Sequence, residues 1–111
     1  MILQHNKKME ATIVALEGRM DAITSSDYEI KMKGLIASGE RNFVVDFEKL
    51  DYISSVGLRA ILATAKQIRS RNGKFLLANV HGSVKEIFTI SGLGSIFPFY
   101  DSIDSAMAFF V

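Results

Sequence analysis

The chain has 111 residues, enough for one domain with one core, and its 49% hydrophobic and 23% charged residues exclude a disordered polymer. Thirteen Lys and Arg against twelve Asp and Glu leave a formal net charge of +1, which argues against duplex DNA or an anionic membrane as a partner held by long-range charge. The absence of cysteine excludes a disulfide scaffold, a thiolate zinc site and a cysteine nucleophile.

The first residues, Met1-Ile2-Leu3-Gln4-His5-Asn6-Lys7-Lys8, lack the apolar run of a signal peptide. No stretch approaches the roughly 18 apolar residues of a membrane span. The expectation is a cytoplasmic domain, residues 1–111, without membrane insertion. Residues 2–7 read as an edge strand blunted by lysines, with Lys8-Met9-Glu10 as a turn. Ala11-Thr12-Ile13-Val14-Ala15-Leu16-Glu17-Gly18 reads as a strand ending on a glycine. Several N-caps then follow in Thr24-Ser25-Ser26-Asp27, and Ser26 with Glu29 has capping-box spacing. The helix they open would bury Ile30, Met32, Leu35 and Ile36 and stop at Ser38-Gly39-Glu40.

The run Asn42-Phe43-Val44-Val45-Asp46-Phe47 predicts a central strand covered on both faces, and residues 48–53 a loop. In the long helix beyond, Leu58, Ile61, Leu62, Ala65 and Ile68 share one face, and Asn72-Gly73 ends it. Residues 74–80 read as another buried strand. Ser83 and Glu86 form a second capping-box pattern, opening a short helix closed by Ser91-Gly92. Residues 96–100 predict a short strand whose Pro98 places it at an edge or strand end, and Asp101 or Ser102 caps a last helix. The order β-β-α-β-α-β-α-β-α implies an α/β fold with a mainly parallel sheet covered by helices.

Catalytic chemistry is thinly supplied. His5 and His81 have neither a second histidine nor a carboxylate at metal-ligand spacing, and a loop histidine such as His81 is ordinarily exposed and inert. Asp21, Asp46 and Asp51 lie at or near strand ends, where α/β domains place function, but the sequence gives them no partner. Ser91-Gly92-Leu93-Gly94-Ser95 lacks a Walker lysine and follows a helix, so it reads as a helix end and not a phosphate loop. The phenylalanines sit at core positions and do not alternate with basic residues as an RNA-binding platform would. No metal, no cofactor and no enzymatic activity are expected.

One stretch stands apart: Asp51-Tyr52-Ile53-Ser54-Ser55-Val56-Gly57-Leu58-Arg59-Ala60-Ile61-Leu62. Two serines meet the start of the long helix, one more than a cap requires. The second can point its hydroxyl outward in the first turn. A phosphate there, carrying a charge of about −2, would face free N–H groups and the positive end of the helix dipole. It would also disrupt a partner packed on that surface.

This stretch resembles the signature of the STAS domain of bacterial anti-sigma factor antagonists. The resemblance extends over nearly the whole chain, through "LEGRMDAITSSDYEIKMKGLIASGERNFVVDFEKL" and "RNGKFLLANVHGSVKEIFTISGLGSIFPFYDSIDSAMAF". It implies the STAS fold, a small mixed sheet of about five strands with about four helices. It also implies that the chain binds an anti-sigma factor that is a serine kinase and so frees a sigma factor. By motif the phosphorylated serine corresponds to Ser55, with a serine phosphatase reversing the modification. Ser54 stands where the best-known members carry an aspartate, and Val56 where they carry a second hydroxyl. Asp21, after Met20, resembles the aspartate of the family's turn behind the second strand. The implied partner surface is Asp21, Ser54, Ser55, Gly57 and Leu58. The same family also contains unphosphorylated interaction subunits of transporters and sensory complexes, which is the alternative reading.

Overall fold

The computed structural model describes residues 1–110. Its elements follow the predicted order: β1 (Ile2–Lys8), β2 (Ala11–Met20), α1 (Ala22–Ala37), β3 (Asn42–Ile53), α2 (Ser55–Ser70), β4 (Lys74–Ala78), α3 (Gly82–Ile90), a 3-10 turn at Leu93–Ser95, β5 (Phe99–Tyr100) and α4 (Ile103–Met107). One five-stranded sheet has the spatial order β1-β2-β3-β4-β5, with β1 antiparallel to β2 and every other pair parallel.

Because each parallel strand lies beside its predecessor, successive crossovers carry α1, α2 and α3 to the same face. The larger core lies there, where Val14, Leu16, Phe43, Val45, Phe47, Phe75 and Leu77 meet Met32, Ile36, Ile61, Ala65, Ile68, Val84 and Phe88. The phenylalanines pack edge to face, with ring centroids of Phe47 and Phe88 5.9 Å apart and those of Phe88 and Phe99 5.8 Å apart. On the opposite face, Ala11, Ile13, Val44, Leu76 and Ala78 are covered by Ala106 and Met107 of α4.

Several sequence expectations require correction. The strand predicted to end at residue 47 continues to Ile53. Two extra residues in β3 shift its register against β2, between Ala15 and Glu17 and again between Gly18 and Arg19. Such bulges break the alternation of inward and outward side chains, so buried Phe47, Leu50 and Ile53 fall three apart and read as irregular. The first helix begins not in residues 24–27 but at Ala22, capped by Asp21, and the Ser26–Glu29 pair lies inside it. Its buried face is Ser25, Tyr28, Met32 and Ile36, whereas Ile30 is 70% exposed. The short third helix starts at Gly82, with His81 as an N-cap that makes no side-chain cap bond, so Ser83 is not its cap.

Other punctuation is as expected. Gly39 has φ +106° beyond the end of α1. Ser102 caps α4, exchanging hydrogen bonds with Ser105. Two strands, however, are shorter than expected: the one predicted over residues 96–100 is only Phe99–Tyr100, since Pro98 has no N–H to give the ladder, and the one predicted over 74–80 ends at Ala78.

Candidate functional site at the ends of the second and third strands

The last rungs of the β2–β3 ladder are Arg19↔Tyr52 and Met20↔Ile53. The next residues of the two chain segments, Asp21 and Ser54, therefore emerge side by side at the carboxyl edge of the sheet. The Ser54 N–H donates to the Met20 carbonyl at 2.9 Å and ties the two exits together. Asp21 caps α1 and Ser54 caps α2, so two helix N-termini open onto one surface.

Asp21 is committed to its helix. Its Oδ1 accepts from the N–H groups of Ile23 and Thr24, each at 3.0 Å. In return the Thr24 hydroxyl accepts from the Asp21 N–H at 2.9 Å and donates to the Arg19 carbonyl at 2.8 Å. The Thr24 N–H above all holds the Asp21 carboxyl below its ordinary value. The Thr24 hydroxyl, the Ile23 N–H and the Arg19 charge assist, against an opposing desolvation. The carboxylate is thus an ionised, fixed negative charge at neutral pH.

The two serines divide the tasks that adjacent hydroxyls permit. Ser54 has extended backbone, accepts from the Gly57 N–H at 3.1 Å through Oγ, and accepts the Leu58 N–H at 2.9 Å through its carbonyl. Ser55 is the first residue of α2 and is exposed; among the described residues its hydroxyl makes no hydrogen bond. The first-turn N–H groups of Ser55 and Val56 precede the first intrahelical bond and have no partner among the described residues.

Gly57 and Leu58 lie beneath this surface. A Cβ on Gly57 would stand 2.8 Å from Ile53 Cγ1 and 3.1 Å from both Met20 Cγ and the Met20 carbonyl oxygen. The glycine thus lets α2 start hard against the end of the sheet. Leu58 is buried in the larger core, with 7% of its surface exposed. Around the rim stand Ile23, 79% exposed in the first turn of α1, and the Arg19 guanidinium, 4.3 Å from the centre of the Tyr52 ring. The sequence reading missed Thr24 as the reciprocal partner of Asp21, although the Asp-x-x-Thr spacing signals it.

The other flagged groups make no hydrogen bond to the serines. Asp46 accepts from Asn79 Nδ2 at 2.9 Å and from the Glu48 N–H at 3.0 Å, within β3 and beside the end of β4. His81 is exposed, with Nε2 2.9 Å from the Glu48 carbonyl oxygen. Asp51 is exposed on β3. The described residues contain no group of three His, Asp or Glu placed to hold a metal ion, and no helix long and apolar enough to cross a membrane.

The STAS domain profile matches residues 2–106. The chain is 38% identical over 104 residues to a Bordetella bronchiseptica protein, BtrV, named as an anti-sigma factor antagonist; the match covers 93% of this chain and 90% of that one. It is 30% identical over 96 residues to the anti-sigma F factor antagonist of Paenibacillus polymyxa, covering 86% and 82%. Among solved structures, the anti-sigma factor antagonist SpoIIAA in its unphosphorylated form superposes with a TM-score of 0.82 at 21% identity, over 96% of this chain and 95% of that chain. The Bacillus cell fate determinant SpoIIAA in its phosphorylated form does so with 0.77 at 20% identity, over 99% and 100%. The five-stranded mixed sheet with its four helices is thus the fold of these neighbours.

Proposed function

The chain belongs to the STAS domain family, and on that premise we propose that it is a cytoplasmic anti-sigma factor antagonist switched by phosphorylation of Ser55. In the unmodified state its Asp21–Ser54–Ser55 surface, with Ile23 at the rim, docks on an anti-sigma factor and releases the sigma factor that partner had held. The partner is also the kinase and uses ATP. The Ser55 Oγ attacks the γ-phosphorus, an Oγ–P bond forms, the bond to ADP breaks, and the hydroxyl proton passes to a base of the kinase. This chain is then the substrate and not the enzyme. A serine phosphatase restores the hydroxyl.

The observation that carries this reading is the division of labour between the serines. Ser54 is occupied by its cap bond to the Gly57 N–H, whereas Ser55 is exposed with a free hydroxyl. A dianion at Ser55 is tolerated by the positive end of α2, so the fold survives the modification. The docked surface does not, because the charge would have to be stripped of water against the partner and stand near the Asp21 carboxylate.

Incubation with the cognate anti-sigma serine kinase and ATP, followed by mass spectrometry, tests the assignment. One phosphate on Ser55 and none on Ser54 is expected. Ser55→Ala should bind the kinase as the parent does, and Ser55→Asp should lose affinity by about tenfold or more. An unmarked Ser55 together with unchanged binding of Ser55→Asp sinks the proposal. Recovery of transporter subunits from cells in place of a kinase would then favour an unphosphorylated interaction subunit.

A further inference from the structure

Arg59 lies one helical turn beyond Ser55 on α2, at the i+4 position. Both residues are exposed, and among the described residues the Arg59 guanidinium makes no ion pair and no hydrogen bond. Side chains at i and i+4 stand above one another on a helix, with Cβ atoms about 5–6 Å apart. The Cα–Cβ bonds also tilt toward the helix N-terminus, so the long Arg59 side chain leans over the turn that holds Ser55 and not away from it. The order is the favourable one, with the anion nearer the N-terminus and the cation nearer the C-terminus. α2 contains no acidic residue, so Arg59 has no ion-pair partner on its own helix in the unmodified chain.

We propose that Arg59 is the intramolecular partner of the phosphate on Ser55, a positioning residue that holds the added charge along the first turns of α2. This rests on the assignment of Ser55 as the modified residue. The planar guanidinium matches two phosphate oxygens at once, which a lysine at the same position cannot do. The modification then changes the docking surface while adding a bond to the fold.

The test separates this from the kinase question by installing phosphoserine at position 55 through genetic incorporation. The second ionisation of that phosphate is followed by phosphorus NMR in the parent, Arg59→Gln and Arg59→Lys. Relative to the parent, Arg59→Gln should raise the phosphate pKa by about half a unit, and Arg59→Lys by less. Thermal melting closes the cycle. Phosphorylation should raise the Tm of the parent more than that of Arg59→Gln, while the two unmodified proteins melt alike. Equal phosphate pKa values in the parent and Arg59→Gln, or equal changes in Tm on phosphorylation, overturn the proposal. A kinase that leaves Ser55 unmarked would instead defeat the functional reading and leave these two measurements standing.

Discussion

The N–H of Ser54 lies 2.9 Å from the carbonyl oxygen of Met20, and this one bond joins the end of β2 to the start of α2. Gly57 packs on the same carbonyl from the next turn, and Asp21 follows it in the chain. The candidate surface is therefore built on the contact between two chain exits, and its tolerance to substitution is set by space at Met20.

Two glycines in helices make the contrast. At Gly57 an added side chain meets Ile53 and the Met20 backbone, so Gly57→Val should cost about 3 kcal/mol of overpacking. At Gly34 of α1 a Cβ meets nothing within 4 Å. Gly34→Ala should stabilise by about 0.5–1 kcal/mol through helix propensity alone. Urea unfolding of the two variants reads both signs, and a neutral Gly57→Val would show that the close approach has no energetic consequence.

Removal of the α2 cap is the second case. Ser54→Ala leaves the Gly57 N–H without its side-chain acceptor and should lower stability by about 1 kcal/mol. Ser54→Asp restores an acceptor, adds a favourable charge at the helix start and should melt at or above the parent. Calorimetry of the pair distinguishes a capping serine from an incidental one.

Acid sensitivity follows from two carboxylates whose folded-state pKa values are depressed. Glu40 accepts from Lys7 Nζ at 2.6 Å and from the Thr12 hydroxyl at 3.0 Å, and the Lys7 bond is the leading cause of its lowering. Asp21 is lowered chiefly by the Thr24 N–H. For a depressed pKa the folded state binds fewer protons than the unfolded one. The contribution is therefore full above the ordinary values of 4.5 and 3.8 and is lost as pH falls through the folded-state values. Urea midpoints measured from pH 7 downward should decline below about pH 4.5. The decline should be shallower in Asp21→Asn and in Glu40→Gln, each of which starts lower at pH 7.

Tyr28 offers a test in the core. This residue of α1 is fully buried in the larger core, and its hydroxyl has no hydrogen-bond partner. Burial pushes its ionisation far up, with the Thr64 side chain near enough to oppose that rise. The Thr64 hydroxyl spends its proton on the Ala60 carbonyl at 2.8 Å, so toward Tyr28 it can act only as an acceptor, and the Tyr28 hydroxyl makes no hydrogen bond to it. Tyr28→Phe should raise stability by about 1 kcal/mol, by removing a buried polar group and little volume. A loss of similar size would mean that the Thr64 contact is a true hydrogen bond.

The element order, the buried face of α2 and the glycine after α1 were legible because each depends on residues within one or two turns of one another. The face of α1 was not. Ile30 looked like core, yet that helix buries Ser25 and Tyr28 instead. The choice of face is made by what the helix meets, namely α2 and the sheet. The second half of β3 was also hidden, because bulges erase the alternation on which strand recognition depends.

Sequence alone determined that two serines stand where a helix begins, that one of them is surplus to capping, and that strands and helices alternate. These follow from propensity, spacing and backbone chemistry along one stretch of chain. The motif already pointed to Ser55, and the tertiary structure decided how Ser54 is spent, through its cap bond to the Gly57 N–H. It also decided that Asp21 stands beside the serines and that Gly57 and Leu58 lie below them. The physical reason is the parallel pairing of β2 and β3, whose register brings distant residues to one edge and leaves Ser55 facing outward.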